Sequence, residues 1–242
     1  MIRAEPGRWS AWSPGLEEPG AWQRWCAAPA PLALEGQPDG AFLPALLRRR
    51  CGPLARAMLA TAFGCGDEGE LARAATVFAS RHGNINESIG LLERLAEGQA
   101  LSPTRFSHTV HNAQAGLFSI AAGNREASSS VAARESTFGC AWLEALTLLA
   151  RDPGRPVLLV MADAPLDPIF AVQVDEPGGF YSLALMLSPA DGGAGLGFSV
   201  GRSRDAGPRR AWPDALEFLR WYLSGEPRLE LEAGRQLFVW ER

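Results

Sequence analysis

At 242 residues, 47% of them hydrophobic and 21% charged, the chain has the make-up of a soluble globular protein long enough to bury a core, and its length fits one α/β domain spanning 1–242. A net charge of -4 and a pI near 5.5 exclude a general nucleic-acid binder, which needs a basic face to displace phosphate counterions. All 23 basic residues are arginines, so Schiff-base catalysis, a Walker-type phosphate lysine and pyridoxal-phosphate anchoring, each requiring a primary amine, are excluded as well.

Residues 1–40, rich in Pro and Gly and carrying Trp9, Trp12, Trp22 and Trp25, show no sustained periodicity and read as an irregular segment pinned by aromatic side chains. Met1–Gly7 lacks the basic flank and apolar run of an export signal, and no stretch approaches the roughly 18 apolar residues of a membrane span, which leads to the expectation of a cytoplasmic protein. Leu54, Met58 and Ala62 recur every four residues between Pro53 and Gly64 and predict a helix over Pro53–Phe63. Thr76–Ser80 predicts a strand leading into Arg81-His82-Gly83-Asn84; Ile85, Ile89, Leu92 and Ala96 then mark one face of an amphipathic helix closed by Gly98.

Ser129–Ala133 reads as a buried strand of small residues, and Gly139–Ala150 as a helix apolar nearly all round except at Glu144 and Thr147, which places it inside the protein. Residues 134–138 therefore fall at an interior strand-to-helix corner, where unpaired backbone N–H groups favour an anion or oxyanion and where enzymes of several folds place a nucleophile. Val157–Met161 is a continuous apolar run, as in a strand covered on both faces, and Phe170–Val174 and Tyr181–Leu187 read as further strands. The Gly- and Arg-rich stretch 188–211 reads as a surface loop whose glycines do not fit a dinucleotide fingerprint. A last amphipathic helix, Pro213–Leu223, precedes an edge strand around Leu237–Trp240.

Candidates for chemistry are few. Cys26, Cys51, Cys65 and Cys140 form no CxxC pair and have no His at metal-ligand spacing, so neither zinc nor any other cofactor is expected. Cys140 lies inside the apolar helix, where burial disfavours a thiolate. Any His-based mechanism must draw on His82, His108 and His111; Ser107 with His108 or His111 raises a hydrolase reading, although neighbours on one strand would point to opposite faces. Glu135 sits at the corner itself, where a buried carboxylate needs hydrogen bonds or a partner; helix N–H groups or Arg134 would supply them.

Ser80-Arg81-His82-Gly83, Ser102 to Ala113, Gly116 to Ile120 and Ser130 to Phe138 together resemble the β-ketoacyl synthase chain length factors of aryl polyene and related pigment pathways. The resemblance extends from the Trp-rich start to Phe238-Val239-Trp240. It implies a thiolase-like α/β fold, similar to the N-terminal half of a ketosynthase, with a mixed sheet and a buried central helix. Glu135 then stands where active ketosynthases carry the nucleophilic cysteine, and no histidine follows His111 to supply the two that they take from their C-terminal half. The implied function is a non-catalytic subunit that pairs with an active β-ketoacyl synthase and shapes the acyl tunnel. The resemblance implies a strand at Ser129–Ala133, including Ser130, Val131 and Ala132, that pairs across the dimer axis, with Arg134, Phe106, Val110, His111, Asn112 and Phe118 around it and Phe138 near the tunnel end. Arg48-Arg49-Arg50 is a candidate docking site for an acidic acyl carrier protein, since opposite charge steers encounter. A homodimer is possible for the isolated chain. The alternatives are a malonyl-carrier-protein decarboxylase using Glu135, weakened because an ionised carboxylate repels the substrate's own, and the Ser107 hydrolase.

Overall fold

The computed structural model describes residues 2–170, 179–190, 195–203 and 210–242. In chain order the elements are β1 (Ile2–Trp12), α1 (Pro19–Ala27), α2 (Ala45–Arg48), α3 (Pro53–Phe63), α4 (Glu68–Arg73), β2 (Ala75–Ala79), α5 (Ile85–Ala96), α6 (Pro103–Ser107), α7 (Ala113–Ala122), β3 (Ser128–Val131), α8 (Thr137–Arg151), β4 (Val157–Asp163), β5 (Tyr181–Pro189), β6 (Leu196–Arg202), α9 (Asp214–Ser224), β7 (Arg228–Ala233) and β8 (Gln236–Glu241). The strands form one mixed sheet in the order β3-β2-β4-β5-β1-β6-β8-β7. β2 is parallel to β3 and to β4, and the remaining pairings are antiparallel.

The middle strands are buried on both faces, and their alternate residues feed two cores. Val157, Leu159 and Met161 of β4 join Leu183, Leu185 and Leu187 of β5 beneath α8, α9 and α1. Leu158, Val160 and Ala162 join Ala184 and Met186 beneath α3, α4 and α7. Burying seven consecutive residues of β4 explains its unbroken apolar run. α8 lies on the first core with Ala141, Trp142, Ala145 and Leu146 fully covered, and its polar Glu144 turns to β3, where it accepts a hydrogen bond from the Ser129 hydroxyl at 2.6 Å. Gly139 is obligatory: a Cβ there would lie 2.5 Å from the Phe238 ring.

Four expectations need correction. The N-terminal segment is not irregular: β1 is an eleven-residue strand near the middle of the sheet, with a register shift between Pro6 and Arg8 that absorbs the proline, and α1 follows it. Trp22 and Trp25 do pin this region, donating to the carbonyls of Leu16 and Ala30. The stretch 188–211 contains β6, whose Phe198 packs between Phe238 and Trp240; glycines at 195, 197 and 201 obscured its alternation. Leu237–Trp240 is an inner strand, and the edge is β7, with Arg228 ion-paired to Glu230 and Glu241. Leu92 on α5 is 59% exposed, while the neighbouring Leu91 is the buried leucine. The strand expected at Phe170–Val174 lies outside the described residues except for Phe170, which closes a 3-10 turn over Pro168–Phe170.

Candidate functional site

β2, β3 and β4 run parallel, so their carboxyl ends open on one side and gather three segments: Ser80–Asn84 after β2, Ala132–Ser136 after β3, and Ala164–Pro165 after β4. Asp163, at the last position of β4, ties the first of these down. Its carboxylate accepts from the Ser80 hydroxyl at 2.7 Å and from the backbone N–H of His82 at 3.1 Å, and Ser80 Oγ accepts from the Gly83 N–H at 2.7 Å. Burial pushes the Asp163 carboxyl above the usual carboxylate range, opposed by the Ser80 hydroxyl and by the backbone N–H groups of His82 and Arg81. His111 packs against the same turn: its Nδ1 would be 3.1 Å from a Cβ on Gly83, which holds φ at +58°. Nothing in the sequence signals Asp163 beyond its place at the end of an apolar run.

The strand-to-helix corner forms, as a 3-10 turn, Arg134–Ser136, between β3 and α8, but at the surface and not in the interior where it was expected. Thr137 builds it: its hydroxyl oxygen accepts from the Ala133 N–H at 2.9 Å, and its O–H donates to the Arg134 carbonyl at 2.6 Å. The β7–β8 hairpin closes over the turn, with Ser136 Oγ donating to the Ala233 carbonyl and Glu135 Oε1 3.0 Å from where a Gly234 Cβ would stand. Glu135 is at the corner but is not buried; its side chain keeps 40% of its exposure and pairs with Arg134 at 3.5 Å. A carboxylate left partly in water does not need the helix N–H groups invoked for a buried one. The strained residue is Arg134, with φ +54°, the one non-glycine among the described residues at positive φ, a conformation costing about 1–2 kcal/mol.

The outer side of this region is an open edge. β3 pairs only with β2 among the described residues, and Ser130, Val131, Ala132 and Arg134 lie along it half-buried or exposed. Phe106 on α6, Val110 in the turn before α7 and Ile120 on α7 are 64%, 48% and 67% exposed, with Asn112 exposed as well. Open strand edges and exposed large apolar side chains are features that protein interfaces use. Two expected members point the other way. Phe118 occupies the inward face of α7, against Phe63 and Phe78, so it is core. Phe138, in the first turn of α8, is 1% exposed, with ring centroids 5.3 Å from Phe218 and 5.9 Å from Trp240, so it too is core. Ile120, on the outward face of α7, was not among the interface residues expected from the sequence.

Ser107 ends α6 and donates back to the Thr104 carbonyl at 2.8 Å, and His108 follows it as the C-cap, so the pair lies on a helix and no nucleophile–base contact forms. Burial raises the thiol pKa of every cysteine, to about 11 for Cys26 and about 12 for Cys65, and Cys140 faces Gln236 at 4.0 Å. Among the described residues no three His, Cys, Asp or Glu side chains gather as metal ligands. Arg49 and Arg50 are exposed and Arg48 half-buried at the end of α2; Arg56 instead turns inward onto the carbonyls of Cys51 and Arg48. No described helix is long and apolar enough to cross a membrane.

This geometry has close counterparts in solved structures. A chain of the ketosynthase ApeO in complex with its chain length factor ApeC, from Xenorhabdus doucetiae, is similar over 100% of both chains, at 27% identity and a TM-score of 0.83. The ishigamide ketosynthase/chain length factor matches 83% of this chain and 67% of its own at 14% identity and a TM-score of 0.64. A chain of the complex of a type II polyketide synthase acyl-carrier protein with its ketosynthase matches 85% of this chain and 70% of its own at 13% identity and a TM-score of 0.65. No curated protein matches the sequence. The family model described as "Beta-ketoacyl synthase, N-terminal domain" matches residues 22–241, and the chain belongs to that family.

Proposed function

We propose that the chain is a non-catalytic chain length factor, pairing in the cytoplasm with an active β-ketoacyl synthase in aryl polyene or related polyketide or fatty-acid-type biosynthesis. What supports this reading is the corner: the resemblance puts Glu135 where a ketosynthase carries its thiol, Glu135 lies in the turn between β3 and α8, and Cys140 lies beyond that turn within α8. A carboxylate there forms no acyl thioester. The partner contributes the cysteine and histidines; this chain contributes a wall. The open edge of β3 continues the partner's sheet, and small side chains at Ser128–Ala133 permit that approach. Phe106, Val110, His111, Asn112 and Ile120 cover the acyl tunnel near the axis. Phe138 and Phe118 fix the backbone behind it, setting product length through packing.

Co-expression with a candidate ketosynthase is expected to yield a one-to-one complex by mass, and carbon–carbon bond formation only in the complex. A chain that stays monomeric, or that pairs only with itself, would count against the assignment. Arg48, Arg49 and Arg50 form the surface for the acidic carrier protein. Reversing their charge to Glu is expected to raise KM for the acylated carrier several-fold and to flatten its dependence on salt, with kcat unchanged. An unaltered KM at low ionic strength would remove the docking role.

A further inference from the structure

The chain places glycine wherever its backbone needs positive φ: nine described glycines adopt it, including Gly234 directly opposite the corner. Arg134 breaks this pattern. A glycine would hold the same turn without strain, and the interactions that build the turn come from Thr137 and Ser136. The Arg134 side chain is 88% exposed, and its one ion-pair partner among the described residues, Glu135, is a loose contact at 3.5 Å that is itself partly in water. Strain retained where folding does not require it points to function.

We infer that Arg134 recognises the partner: its guanidinium meets a carboxylate of the ketosynthase across the open edge of β3, and the strained turn aims it there. The inference rests on the heterodimer reading above. Three features support it. Arg134 follows β3 by three residues, on the edge left unpaired, so a strand added there passes beside it. Ala132, exposed, and Ala133, half-buried, leave room for a second backbone to approach. A guanidinium presents paired N–H donors that match a carboxylate in a way no ammonium does, which gives the contact direction as well as charge. Glu135 holds the guanidinium until the partner's carboxylate replaces it.

Three variants separate strain from recognition. Arg134→Gly removes both the strain and the guanidinium; Arg134→Ala removes the guanidinium alone; Arg134→Lys keeps a charge without the fork. The melting temperature of the isolated chain is expected to rise by about 2–4 °C for Arg134→Gly and to stay near wild type for the other two. Affinity for the ketosynthase is expected to fall at least about tenfold for Arg134→Gly and Arg134→Ala, and by less for Arg134→Lys, with the wild-type complex the most salt-sensitive of the four. Wild-type affinity in Arg134→Gly and Arg134→Ala, or a lower melting temperature in Arg134→Gly, would overturn the inference while leaving the heterodimer intact. A wild-type chain that forms no complex would bring down both.

Discussion

Phe106→Asp or Ile120→Asp is expected to abolish co-purification with the ketosynthase, while the melting temperature of the isolated chain stays within about 2 °C of wild type. Both side chains are mostly in water already, so the folded monomer loses little by the change. In a complex the same positions would be desolvated, and an unpaired carboxylate buried there costs several kcal/mol. Phe118→Ala, two residues from Ile120, should behave in the opposite way. It removes a ring that is 1% exposed between Phe63 and Phe78, and its cost of about 3–5 kcal/mol falls on the monomer. Urea titration of the isolated chains and pull-down against the ketosynthase distinguish the two classes. If Ile120→Asp still purifies with the partner, the interface lies elsewhere.

Phe138→Ala is expected to destabilise the chain by about 3–5 kcal/mol, because the ring is wedged among Phe218, Trp142 and Trp240 and its loss opens a cavity that this rigid aromatic cluster cannot close. A drop in melting temperature of about 10 °C follows for a chain of this size. The effect of Phe138 on product length is therefore better tested with Phe138→Leu, a smaller change for which the fold survives. A heterodimer carrying Phe138→Leu that makes products of unaltered length would remove Phe138 from any part in setting it.

Much of the scaffold was legible because its elements are strongly patterned. Pro53 and Gly64 bracket α3, the apolar run at 157–161 announces a strand covered on both faces, and the helix over α8 follows from its lack of polar surface. β1 was hidden because Pro6 and Gly7 read as breakers, whereas a bulge accommodates them beside β5. β6 was hidden by its glycines, and β7 by its alternating charges, which suit an edge strand. The corner could be located from sequence since strand, turn and helix are contiguous there. Which residue carries its strain could not, because a positive φ at an arginine contradicts local preference and is imposed by Thr137 and the β7–β8 hairpin from outside the turn. Phe118 and Ile120 show the limit on α7: where a helix is apolar all round, composition does not tell the inward face from the outward one.

The two margins of the sheet are unlike. At β3 the side chains are small and uncharged, while β7 carries Arg228, Glu230 and Glu232, held in ion pairs and by Arg210 on the Glu232 carbonyl. Growth by strand addition is thus permitted at one end and refused at the other. An assembly built by strand addition on such a module terminates once its receptive side is filled.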